Sequence, residues 1–178
     1  MGDVYMSEID NEPLTEREKA RKSLFEIVDH IENVQVAAKK LAEALIEQGQ
    51  YDLARRLLKR AYSHDNSKFI GIEYRFLYES SDDPHMLSMA VNQHRAVNDH
   101  HPEFYGGGVH DMSEEAIAEM VVDWKARSSE GATSLRDWVK NSATKTFGFS
   151  MSSKVGKKIN YFLKLLLNEP LTRIPKEN

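Results

Sequence analysis

Apolar residues recur every three or four positions through most of this chain, and the interruptions of that rhythm divide it into helices. Over 25–46 the series is Phe25, Ile27, Ile31, Val34, Ala38, Leu41 and Leu45, the spacing of one helical face. Thr15 is a natural cap for this helix, which begins near Glu16 and sets Lys19 and Arg21 on its solvent side. Gln48-Gly49-Gln50 breaks it. A second amphipathic helix follows over 51–62, with Leu53, Leu57, Leu58 and Ala61 facing inward. The pattern predicts a third helix over 68–78, a turn at 80–84, and a fourth helix over 85–98. Pro102 disfavours helix at His101, and Gly106-Gly107-Gly108 makes a flexible loop. Ser113 caps a helix holding Ile117, Met120, Val121 and Trp124, and Ser134 caps a short one to about Asn141. The last covers about 153–168, with Val155, Ile159, Phe162, Leu163 and Leu166 on its apolar face. No strand-like alternation of useful length and no internal repeat interrupts this series. The expectation is an all-α bundle of about seven helices, one domain over 14–168 between a flexible leader (1–13) and a flexible tail (169–178).

Composition narrows the chemistry. With no cysteine among 178 residues, disulfides and thiolate metal sites are excluded. Any metal must be held by His, Asp and Glu, a donor set that suits manganese, iron, nickel, cobalt, magnesium or catalytic zinc. The net charge of −4 argues against a surface that grips nucleic acid along its whole length. No apolar run approaches the roughly 20 residues of a membrane span, and the acidic N-terminus lacks the apolar core of a signal peptide. A cytoplasmic protein is the simplest expectation.

The informative positions are polar residues inside apolar stripes. Ile27, His30, Ile31 and Val34 stand at i, i+3, i+4 and i+7, so His30 faces the core. Leu87, Val91, His94 and Val97 do the same for His94, and Asp123 falls between Met120 and Trp124 on the buried side of its helix. A single core histidine or aspartate is ordinarily satisfied by a hydrogen bond or an ion pair. Three of them on different helices, joined by His64-Asp65 at a helix junction and His100-His101 before a loop, point to a shared cation. His94 and His101 are two turns apart and share a face if the helix persists that far; His100 then points elsewhere.

His30, His64-Asp65 and Asp123 form a pattern that resembles the H…HD…D signature of the HD-domain phosphohydrolase superfamily, and His64-Asp65-Asn66-Ser67-Lys68 resembles its HDxxK form. The additional histidines are similar to those of the two-metal branch. More closely, the segments HDNSKF (64–69) with Glu73, HRAVNDHHPEFY (94–105) and EMVVDWKA (119–126) resemble a small family of phages and bacteria over about residues 20–150. The resemblance implies one or two divalent ions held by His30, His64, Asp65, Asp123, His94 and His100 or His101. It further implies hydrolysis of a small-molecule phosphate ester such as a nucleotide, with Asp65 and Lys68 at the reacting centre and Lys68 contacting substrate. A di-iron oxygenase of the myo-inositol oxygenase type uses a similar ligand set, and a non-enzymatic metal- or nucleotide-binding protein is the third reading. A homo-oligomer is compatible with all three.

Around this core, other residues have a functional reading beside a plain one. Glu73 either orients a ligand histidine as part of the catalytic apparatus or is an exposed helix glutamate. Lys68 is otherwise a surface lysine. Glu103 accepts a proton or fixes a histidine tautomer, Tyr105 with the glycines after it closes over substrate or simply turns, and Arg127 reaches phosphate or solvent. Lys140, Lys145, Lys154, Lys157 and Lys158 either flank the mouth of the site or form a solvated face.

Overall fold

A computed structural model describes residues 14–79, 83–131 and 133–171 of the chain. The expected leader, the turn at 80–82 and the tail beyond residue 171 lie outside the described residues. Those described form seven helices and no strand.

Helix α1 (Glu16–Glu47) opens with a reciprocal cap: Thr15 Oγ1 accepts from the Glu18 backbone, and Glu18 accepts from the Thr15 backbone N–H. At 32 residues it is about 48 Å long. Its first part is largely exposed, Phe25 included, and its buried stripe runs from Ile27 through His30, Val34, Ala38 and Leu41 to Leu45. Helix α2 (Tyr51–Tyr62) packs along this stripe with Leu53, Ala54, Leu57 and Ala61.

The third helix departs from its expected form. Residues 66–69 make a single tight turn, Ile70 is extended, and Gly71 adopts φ +61, a backbone conformation favourable only to glycine. A helix α3 then begins at Gly71–Glu73 and widens into a π-helix over Tyr74–Glu79. Helix α4 (Pro84–Val97) is capped by Asp83 and starts on proline, where the missing N–H costs nothing.

Helix α5 (Glu114–Glu130) is buried on every side from Ala116 to Trp124, which makes it the central helix. It packs against α1 and α2 and against α7 (Lys154–Leu166). Between them, α6 (Leu135–Trp138) continues through a π-turn at Val139–Ala143 to Thr144–Thr146, longer than the expected helix to Asn141. The α7 stripe of Val155, Ile159, Phe162, Leu163 and Leu166 is buried as its spacing predicts. No helix among the described residues is long and apolar enough to cross a membrane.

Candidate metal centre

Five separate segments converge on one cluster. His30 comes from the middle of α1, Asp123 from α5, and His94 from the last turn of α4. His64 and Asp65 come from the turn after α2. Asp65 takes the left-handed conformation (φ 56), which short polar side chains tolerate and which costs about 1–3 kcal/mol in a non-glycine residue. That bend turns the carboxylate back into the bundle, where Asp65 is 2% exposed. His100 and His101 do not arrive by continuation of α4. The helix stops at Val97, and Asn98 closes it by donating its side-chain amide to the His94 carbonyl at 2.7 Å. The chain then reverses, with the His101 N–H donating to the Asn98 carbonyl, and His100 and His101 both enter the cluster.

Asp65 is the hub. Its Oδ2 lies 3.6 Å from His30 Nε2 and 3.4 Å from His64 Nε2, while Oδ1 lies 3.5 Å from His94 Nε2 and 3.3 Å from His100 Nε2. Asp123 Oδ1 stands 3.2 Å from His30 Nε2 and 3.9 Å from His64 Nε2. His101 Nε2 is 3.0 Å from His94 Nε2. The donor atoms fall into overlapping sets: His30, His64 and Asp65; His64, His100 and Asp123; and Asp65, His94, His100 and His101.

The outward faces of three imidazoles are tied to carboxylates. His30 Nδ1 is 2.9 Å from Glu130, His64 Nδ1 is 3.0 Å from Glu119, and His94 Nδ1 is 2.8 Å from Glu73. A carboxylate can only accept, so each ring carries its proton on Nδ1 and turns the Nε2 lone pair inward. Among the described residues, the buried side-chain polar atoms without a hydrogen-bond partner are His30 Nε2, His64 Nε2, His100 Nε2, Asp65 Oδ1 and Asp123 Oδ1. All five belong to this one cluster. Buried polar atoms are almost always paired, and leaving each unpaired costs about 1–3 kcal/mol. A cation would give them a common partner. These buried His and Asp groups can hold a metal ion.

The electrostatics favour the ligand forms of Asp65, Asp123, His94 and His101. Burial opposes the charge of Asp65, yet the neighbouring His100, His64 and Lys68 hold it well below the usual carboxylate range. Burial opposes Asp123 likewise, and His30 and His64 pull it down. Burial, then the charges of His100 and His94, push His101 down to about 3; burial lowers His94 as well. His64 goes the other way. Burial lowers it, but Glu119, Asp65 and Asp123 together raise it.

Of the remaining candidates, Glu73 is buried against His94 and also accepts from Ser67 Oγ at 2.8 Å, so it is not an exposed helix glutamate. Lys68 is buried, not a surface lysine, with Nζ 2.5 Å from Asp65 Oδ2. Glu103 and Arg127 line a cavity of about 440 Å³ together with His101, Arg95, Trp124, Trp138 and Phe147. There Glu103 pairs with Arg95 at 3.5 Å, and Arg127 with Glu130 at 3.3 Å. Tyr105 is not part of that lining; it packs against the core, near Arg60 and Asp99. The glycine segment beside it is a pair of tight turns fastened by the Gly107 N–H to Asp111, which fits a plain turn. Of the basic segment near residues 140–158, only Phe147 reaches the cavity; Lys140, Lys145, Lys154 and Lys157 are exposed, and Lys158 pairs with Glu114 at 3.2 Å. A second, smaller cavity of about 190 Å³ borders His64 and His100 from the side of Arg60 and Asp99.

Sequence reasoning passed over Glu119, Glu130 and Arg60. Glu119 and Glu130 stand four before and seven after Asp123, on one face of α5. The test that singles out His30, applied to acids on the same stripe, finds Glu119. Arg60 carried no such signal, because arginine near the end of a helix is ordinary.

No curated protein and no solved structure matches the chain. A family model does, over residues 19–165, which contains every residue of the cluster. The chain belongs to the family of unknown function DUF5662.

Proposed function

We propose that this protein is a metal-dependent phosphohydrolase of the HD type, acting on a small phosphate ester such as a nucleotide. The reading is carried by the five unpaired buried ligand atoms that converge from α1, α2, α5 and the α4 loop. His30, His64, Asp65 and Asp123 would hold one divalent ion, and Asp65, His94, His100 and His101 a second. A divalent ion in such a site lowers the pKa of a water molecule and polarises a phosphoryl oxygen.

The chain's own residues do the rest. Glu73, Glu119 and Glu130 keep the protons of His94, His64 and His30 on Nδ1. Asp65 offers one oxygen to each half of the cluster. The cavity beside His101 has the volume of a small-molecule site, with aromatic side chains and two arginines. Trp124 is edge-on to Trp138 at 5.1 Å and stacked on Phe147 at 5.6 Å, a wall suited to a flat ring. Arg95 and Arg127 suit an anion, and each is now occupied by a carboxylate that phosphate can displace.

Metal analysis of protein purified without chelator, followed by a phosphoester panel with manganese, cobalt or nickel, tests the reading. Bound metal with phosphate release supports it. Bound iron with an oxygen-sensitive absorption band and no phosphate release assigns oxygenase chemistry instead. No divalent metal after reconstitution overturns it.

A further inference from the structure

Behind the ligand histidines, Glu119 leads to an arginine and an aspartate that the proposed chemistry does not use. Arg60, in the last turn of α2, donates Nε to Glu119 Oε2 at 2.6 Å. Its two terminal nitrogens both reach the Asp99 carboxylate, Nη1 at 3.1 Å. One guanidinium therefore bridges α2, α5 and the segment that carries His100 and His101. Burial works against its charge, and the bonds to Asp99 and Glu119 more than offset this. The other oxygen of Glu119 faces both halves of the cluster, 3.0 Å from His64 Nδ1 and 3.6 Å from His100 Nδ1.

His100 and His101 stand on irregular backbone just after the helix end, so nothing intrinsic to α4 fixes their place. Asp99 precedes them directly, and Arg60 is its charged partner. The planar fork matters: a lysine in its place keeps the charge but cannot hold two carboxylates in this geometry.

We propose that Arg60 is a positioning residue that chiefly assembles the Asp65–His94–His100–His101 half of the site through Asp99; the other half keeps His30 on Glu130 and reaches Arg60 only through the Glu119 that backs His64. The proposal rests on the metal reading above. Partners that orient metal ligands typically account for roughly tenfold to hundredfold in affinity.

The test is equilibrium titration with manganese of the full chain, wild type against Arg60→Gln, Arg60→Lys and Arg56→Gln. Arg56 is the control, because it joins α2 to α5 through Glu115 at 3.8 Å with no ligand behind it. Wild type and Arg56→Gln are expected to take two ions, and Arg60→Gln one tight ion, its second weakened roughly tenfold or more. Arg60→Lys falls with the glutamine variant. Should Arg60→Gln not fold, Asp99→Ala cuts the same link from the loop side and is expected to lose the same ion. Wild-type affinity for both ions in these variants overturns the positioning role while leaving the metal reading intact. Equal weakening of both ions, or a wild type that takes only one, overturns the division of labour. A wild type that binds none overturns the metal reading itself.

Discussion

Lys68 Nζ lies 2.5 Å from Asp65 Oδ2, one turn further along the chain, with both residues buried. In the metal-free chain this ammonium is the direct counter-charge of the hub carboxylate. Removing one member of a buried pair typically costs about 3–5 kcal/mol, because the other is left charged and unpaired. Asp65→Asn is therefore expected to lose divalent-metal binding and to melt well below wild type. Adding Lys68→Met to it should recover much of the melting temperature and none of the metal. Calorimetry beside elemental analysis checks both halves, and a double variant no more stable than the single one would refute the pairing.

Filling the cluster should stabilise the fold. A ligand present at a hundred times its dissociation constant contributes about 2.7 kcal/mol, which for a domain of this size raises Tm by roughly 5–10 °C. Manganese or cobalt should produce that rise, a chelator should reverse it, Asp65→Asn should abolish it, and Asp123→Asn should remove only the part due to the His30–His64 half. Thermal melts with and without each ion are enough to decide.

The helices that bear the ligands were largely legible in the chain, and the shape of the site only in part. The stripes of α1, α2 and α7 are set by burial of one face, which a periodicity of 3.6 records directly. The same periodicity placed His30, His94 and Asp123 inside. It misread only the start of the third helix, 66–70, because the break there is made by left-handed backbone at Asp65 and Gly71, a local device with no period. Juxtaposing His94 with His101 likewise needed the Asn98 reversal, not the helix persistence that spacing suggests. Arg60 and Asp99, 39 residues apart, meet only in three dimensions.

Glu73 fixes the His94 proton on Nδ1 and is itself held by Ser67. Glu73→Gln keeps the size and loses the charge that fixes this tautomer. Affinity for the ion at the His94 half is expected to drop roughly tenfold to hundredfold, with the other half unaffected. Competition titration against a chromophoric chelator measures this, and unchanged affinity would count against the orienting role.

Arg127 is half exposed on the wall of the larger cavity, which Trp138 also lines. A charged hydrogen bond to a bound anion contributes about 1.5–3 kcal/mol, so Arg127→Ala should raise KM at least roughly tenfold. Metal content should stay at the wild-type level. Steady-state kinetics on a hydrolysed ester separate the two, and a fall in kcat with KM unchanged would move Arg127 out of the binding wall.

At Gly156 a side chain would meet the Ser150 carbonyl at 2.0 Å, since α7 begins hard against the preceding turn. Gly156→Ala should destabilise the fold by about 1–3 kcal/mol without altering metal stoichiometry. Chemical denaturation reads the first quantity and elemental analysis the second. A variant as stable as wild type would show that the turn yields freely.

The cluster is bordered by two cavities of unequal size, one at His101 and one at His64 and His100. An ester seated against the tryptophans would fill the first and leave the second open. The second space, about 190 Å³ and flanked by the partly exposed Asp99, has room for water and is too small for a nucleotide. Reactant and solvent would then travel by separate doors, so a bound ester need not leave before a fresh water molecule arrives.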